Sequence, residues 1–128
     1  MNHILIVEDD ERLVRALQDS FSIEGLSVEI AMNGEEALEH IRRRKPDLIL
    51  LDLLMPKKNG FYVLEQIKKN PEFQLIPVII LSNLDEDTEI KQALEMGADD
   101  YFVKSQHPIE EIVEKVKAYL EGKKSVKP

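Results

Sequence analysis

Three apolar runs without a polar residue among them constrain this chain more than anything else in it. "ILIV" (Ile4 to Val7), "LILL" (Leu48 to Leu51) and "VIIL" (Val78 to Leu81) lack the polar alternation of a half-exposed strand and are too short for helices. Strands of that kind are covered on both faces, which means a parallel sheet between two helical layers. Strands are predicted over His3–Val7, Val28–Ala31, Asp47–Leu51, Val78–Leu81 and Tyr101–Val103. Between and after them, Leu13, Ala16, Leu17 and Phe21, and then Ile109, Ile112, Val113, Val116 and Leu120, recur at helical spacing. The stretches Glu35–Arg44, Phe61–Lys69 and Thr88–Met96 fill the other gaps as helices, and Gly25, Pro46, Pro77 and Gly97 punctuate the element ends. Five strands alternating with five helices give an α/β, doubly wound five-stranded parallel sheet with right-handed crossovers. Strand order is not readable from periodicity.

Such a sandwich, of the flavodoxin-like kind, fits 128 residues as one domain. A chain of that length buries about two-thirds of its unfolded surface without needing staples. The domain is expected over residues 1–121, with 122–128 ("GKKSVKP") as a short basic tail or linker stub. There is no cysteine, so neither a disulfide framework nor a thiolate metal site is available. The run from Ile4 to Val7 is too short for a signal peptide, and no segment nears the roughly 20 apolar residues of a membrane span. A soluble cytoplasmic protein is expected. The net charge of −8 argues against direct nucleic-acid binding. The run Arg42 to Lys45 suits the last turn of a helix, where cations complement the dipole.

In open α/β sheets, ligands bind beyond the carboxyl ends of the strands. The residues just after the apolar runs are therefore the ones to inspect. Glu8, Asp9 and Asp10 follow the first predicted strand, Asp52 the third, Ser82 the fourth and Lys104 the fifth; the second ends on Ala31 and Met32. Asp10 fits a helix N-cap, and Ser82 or Lys104 alone would pass for turn and surface residues. Asp52 does not, because Leu53, Leu54 and Met55 follow it and offer no solvated loop. Four strands that deliver acid, hydroxyl or ammonium groups to one edge make a site.

Glu8, Asp9 and Asp52 together repel unless a cation joins them. Oxygen donors without nearby His or Cys suit a hard ion, Mg²⁺ rather than Zn²⁺, and Mg²⁺ held this way normally serves a phosphate group. Ser82 can donate to a phosphoryl oxygen and Lys104 can neutralise one. Asp52 is then either a metal ligand alone or a nucleophile that carries the phosphoryl group covalently.

With "ILIVEDD", "DLILLDLLMPKKNG", "PVIILSN" and "GADDYFVKS" in this order and spacing, the sequence resembles the receiver domain of two-component response regulators (CheY-like) from about His3 to Leu120. The resemblance implies phosphorylation of Asp52 by a sensor histidine kinase or phosphotransfer protein, with Mg²⁺ required. It implies metal ligation by Asp9, by Glu8 through water, by Asp52 and by the Leu54 carbonyl. Ser82 matches the switch hydroxyl, Tyr101 the switch aromatic, and Lys104 the lysine that contacts the phosphoryl group. Met55-Pro56 and Gly60 match the turn after the acceptor.

Three departures accompany the match. Ser105 follows the lysine where the family has proline, often cis; a cis bond before serine would cost about 3 kcal/mol, which leaves the Lys104–Ser105 geometry for the structure to decide. Asn83 stands where a small residue is usual, and could narrow access to the phosphoryl group. Leu54 and Leu84 occupy the positions that tune hydrolysis in this family; being apolar, they cannot orient water, so a long-lived phosphoaspartate is expected. The domain would catalyse its own phosphorylation and dephosphorylation without turning over a diffusing substrate. Its readout would be a population shift felt on the helix at Glu86–Met96, the last strand and the last helix, a candidate surface for homodimerisation or for an unknown downstream protein. The sequence fits both a stand-alone receiver and one domain of a longer protein. Two other readings compete: a receiver-like module working without phosphorylation, and a haloacid-dehalogenase-like phosphatase, which usually needs a second aspartate where this chain has Leu54.

Overall fold

A computed structural model of the protein describes residues 2–54, 59–84 and 86–124. The chain runs β1 (His3–Val7), α1 (Glu11–Ile23), β2 (Ser27–Ala31), α2 (Gly34–Arg43), β3 (Leu48–Leu51), α3 (Gly60–Lys68), β4 (Val78–Ser82), α4 (Asp87–Glu95), β5 (Asp100–Val103) and α5 (Ile109–Lys124). All five strands are parallel, in the order β2-β1-β3-β4-β5. The order reverses at β1, so the crevice between the ends of β1 and β3 is the topological switch point.

Alternate residues of the apolar runs go to opposite layers. Ile4, Ile6, Leu48, Leu50, Ile79 and Leu81 pack against Leu17 and Phe21 of α1 and Ile112, Val113, Val116 and Leu120 of α5. Leu5, Val7, Ile49, Leu51, Val78 and Ile80 face Ala37 and Ile41 of α2, Val63, Leu64 and Ile67 of α3 and Ala93 of α4. Each run is apolar throughout because each strand serves two cores.

The predicted elements all form, with ends that agree to within two residues except at the last helix, which runs past Leu120. Asp47 lies just before β3, where its carboxylate accepts from the His3 backbone N–H (2.7 Å) and its own N–H donates to the His3 carbonyl (2.7 Å). The last helix continues through Gly122 to Lys124. Asp10 caps α1 by accepting from the Arg12 and Leu13 N–H groups, as expected, and Asn33 and Asn59 cap α2 and α3 likewise. The expected Met55-Pro56 turn lies outside the described residues.

Candidate functional site

The parallel sheet brings Glu8, Asp52, Ser82 and Lys104 to one edge, each at or just beyond its strand's carboxyl end. Glu8, Asp52 and Ser82 are the buried polar residues there. The Lys104 Nζ stands 2.8 Å from Glu8 Oε1 and 3.3 Å from Asp52 Oδ2. The other Asp52 oxygen, Oδ1, accepts from the Leu54 N–H at 3.2 Å. One carboxylate is thus fixed by an ammonium on one oxygen and a backbone donor on the other. The Asp10 N–H donates to Glu8 Oε2 at 3.0 Å, which orients that carboxylate too.

Asp9 is exposed, yet donor atoms of Glu8, Asp9 and Asp52 lie within 4.8 Å of one another. The three form an acidic cluster with one ammonium beside it, an excess of negative charge in a largely buried place. Burial raises Glu8 to about 7 even with Lys104 in contact, and the Asp52 charge adds to the rise. Lys104 is itself raised: burial acts against its charge, but the two carboxylates outweigh it. A divalent cation suits this cluster, since it would relieve the repulsion that holds Glu8 up.

Gly60 explains how the start of α3 is held against the site. Its N–H donates to the Leu53 carbonyl (3.1 Å), and a Cβ there would fall 2.3 Å from the Asp52 carbonyl oxygen. The first turn of α3 therefore presses directly on the backbone of Asp52, which no larger residue permits. Leu53 is buried in the core, while Leu54 is exposed.

Ser82 and Tyr101 meet at the backbone of Leu84. The Leu84 N–H donates to Ser82 Oγ at 3.3 Å, and Tyr101 Oη donates to the Leu84 carbonyl at 2.6 Å. No residue-type signal could have announced this, because the shared partner is main chain. No peptide bond among the described residues is cis, so Lys104 reaches both carboxylates through a trans bond to Ser105. Asn83 is exposed.

Fold and edge chemistry define an α/β domain whose ligand site lies at the switch point of a parallel sheet. Residues 4–117 match the response regulator receiver domain family, and the chain belongs to it. PhoP, the alkaline phosphatase synthesis transcriptional regulatory protein of Bacillus subtilis, is 39% identical over 117 residues, covering 91% of this chain and 48% of PhoP. The signal receiver domain of a signal transduction histidine kinase from Syntrophus aciditrophicus superposes with a TM-score of 0.89 at 33% identity, over 99% of this chain and 96% of that one. The Mn²⁺-bound form of response regulator Rcp1 superposes with a TM-score of 0.86 at 28% identity, over 99% and 98%. The chain spans about half the length of the curated relatives it matches. It is a receiver domain of two-component response regulators, a class that does not turn over substrate as a conventional enzyme does. Neither the phosphatase nor the phosphorylation-independent reading is favoured by these matches. No helix among the described residues is long and apolar enough to cross a membrane.

Proposed function

We propose that Asp52 accepts a phosphoryl group from the phosphohistidine of a sensor kinase or phosphotransfer protein. A carboxylate oxygen of Asp52 attacks phosphorus, the P–N bond breaks, and the imidazole leaves with the bond pair. The observation that carries this reading is the two-point hold on a buried carboxylate at the switch point, by Lys104 Nζ and the Leu54 N–H. A nucleophile fixed in orientation gains from positioning, which is most of what phosphoryl transfer requires of a protein. Lys104 would follow the developing charge onto the phosphoryl oxygens, and Ser82 would donate its hydroxyl to one of them.

Glu8, Asp9, Asp52 and the Leu54 carbonyl would hold Mg²⁺, which when bound neutralises charge on the phosphoryl oxygens; the Mn²⁺-bound Rcp1 supports a divalent site in a fold of this kind. When Ser82 turns to the phosphoryl group it gives up the Leu84 N–H, and Tyr101 holds the other side of the same residue. The Leu84 backbone is then the element that both groups bias. The face of α4, β5 and α5 would carry the change to a partner, either a second copy or a downstream target. Whole relatives such as PhoP are named as transcriptional regulators, and a role in transcription would belong to this chain through such an output. The domain would work in the cytoplasm.

Intact mass after incubation with Mg²⁺ and a small acyl-phosphate donor tests the reading. One added phosphoryl group is expected for the wild type, and none for Asp52→Asn or without Mg²⁺. Equal addition to Asp52→Asn would refute it.

A further inference from the structure

Lys104 leaves β5 at the head of a short loop to α5, and its ammonium must stay between two carboxylates to serve the site. We infer that His107 is a positioning residue for Lys104: its ring, packed edge to face against Phe102, closes that loop and fixes where the lysine starts. The inference rests on the part proposed above for Lys104 in phosphoryl transfer, and adds the group that holds it there.

The loop has little else to hold it. Ser105 stands where proline is usual; proline would lock one backbone angle there, and serine does not. Ser105, Gln106 and Pro108 are exposed, whereas His107 is half-buried. Main-chain bonds secure the near end: the Lys104 N–H donates to the Ser82 carbonyl and the Gln106 N–H to the Val103 carbonyl, both at 2.9 Å. Lys104 and Ser105 are thus the central residues of a turn that runs from Val103 to Gln106. Neither residue type favours a turn by itself, so the closure gains from a grip at its far end.

His107 supplies that grip. Its ring centroid lies 5.0 Å from that of Phe102 with the planes at 81°, an arrangement that aromatic pairs prefer. Phe102 is buried in the core layer that holds Ile112 and Val116 of α5, so it is a firm anchor. The contact joins the residue just before the turn to the residue just after it, and brackets Lys104 between them. On its other side the buried Nδ1 of His107 faces Glu111 Oε1 at 3.1 Å, in the first turn of α5. One ring therefore ties the last strand to the last helix across the loop that carries Lys104. Pro108 disfavours a helical backbone at His107, and α5 starts just beyond it at Ile109. Lys104 reaches Glu8 at 2.8 Å and Asp52 at 3.3 Å on a flexible four-carbon stem, which keeps those distances only while its backbone stays in place.

The test is the initial rate of phosphorylation by acetyl phosphate in Mg²⁺, followed by intact mass, with thermal unfolding measured on every variant. His107→Ala should slow the reaction about tenfold, within the hundredfold that a displacement of about 1 Å can cost. His107→Gln keeps a polar side chain without a ring and should be as slow; His107→Phe keeps a ring against Phe102 and should restore most of the rate. Lys104→Ala, slow by itself, should mask the effect, so that adding His107→Ala changes nothing further. A merely structural role would slow both backgrounds alike. Wild-type rates in His107→Ala and His107→Gln, or equal slowing in the Lys104→Ala background, would overturn the inference and leave the reading of Asp52 and Lys104 standing. A Lys104→Ala protein phosphorylated as fast as the wild type would overturn the proposed part of Lys104, and this inference with it.

Discussion

Replacing Gly60 by alanine adds one methyl group at the contact that positions Asp52. Two effects oppose each other. Alanine is the better helix former by about 1 kcal/mol, and Gly60 does not occupy the left-handed region, so propensity alone would stabilise the variant. The new Cβ, however, would sit 2.3 Å from the Asp52 carbonyl oxygen and 2.5 Å from the Leu53 Cα, both backbone atoms. Comfortable contact is about 3.5 Å, so the two segments must part by roughly 1 Å. Overpacking of this sort costs about 1–3 kcal/mol or more. The net expectation is a loss of about 1–2 kcal/mol, and a melting temperature lowered by about 4 °C for each. A displacement of that size at a reacting group slows chemistry by up to about a hundredfold. Gly122→Ala is the matched control: it lies in α5 with nothing within 4 Å of the added Cβ, so it should be neutral or stabilising. Thermal unfolding and the initial rate of phosphorylation by an acyl-phosphate donor read both effects. A Gly60→Ala protein as stable and as quickly phosphorylated as the wild type would refute the steric argument.

Glu8→Gln should raise the stability of the metal-free protein at pH 7. The Glu8 carboxyl is raised from 4.5 to about 7 in the folded state, so the unfolded state binds fewer protons between those values and stability falls as pH rises through that window. Urea unfolding from pH 4.5 to 8 should show this decline in the wild type and a flatter profile in the variant. Tyr101→Phe removes the 2.6 Å hydrogen bond to the Leu84 carbonyl and should cost about 1 kcal/mol, measured by the same denaturation. No change would mean that solvent satisfies that carbonyl equally well. Leu54, which is 54% exposed beside Asp52, offers no group to position water; Leu54→Asn should shorten the phosphoaspartate lifetime, by up to about a hundredfold. Decay of the added mass after removal of the donor measures this, and an unaltered lifetime would assign hydrolysis to other groups.

The three apolar runs were enough to read β1, β3 and β4 as strands covered on both faces, because residues that serve two cores cannot alternate with polar ones; β2 and β5, partly exposed at the sheet edges, followed from their alternation with the helical segments. The strand-end rule then led to Glu8, Asp9, Asp52, Ser82 and Lys104 before any contact was known, since a parallel sheet sends every strand's end to the same edge. Strand order was not legible; periodicity records which faces are covered and not which strand is next. Gly60 could be read as a turn residue, but its closeness to the Asp52 backbone depends on where α3 docks. The meeting of Ser82 and Tyr101 on Leu84 escaped notice because the bonds are made by peptide groups common to all residues. His3 was read as an ordinary first residue of a strand. Its proximity to Glu29 and His40 arises from the pairing of β1 with β2 and the return of α2 across them, which single-residue patterns do not encode.

The most direct test of the central claim is to locate the phosphoryl group. Borohydride converts an aspartyl phosphate to homoserine, so peptide mapping of the phosphorylated, reduced protein marks the acceptor residue. Conversion at Asp52 alone is the predicted result. Conversion at Asp9, Asp10 or another carboxylate, with Asp52 intact, would contradict the account.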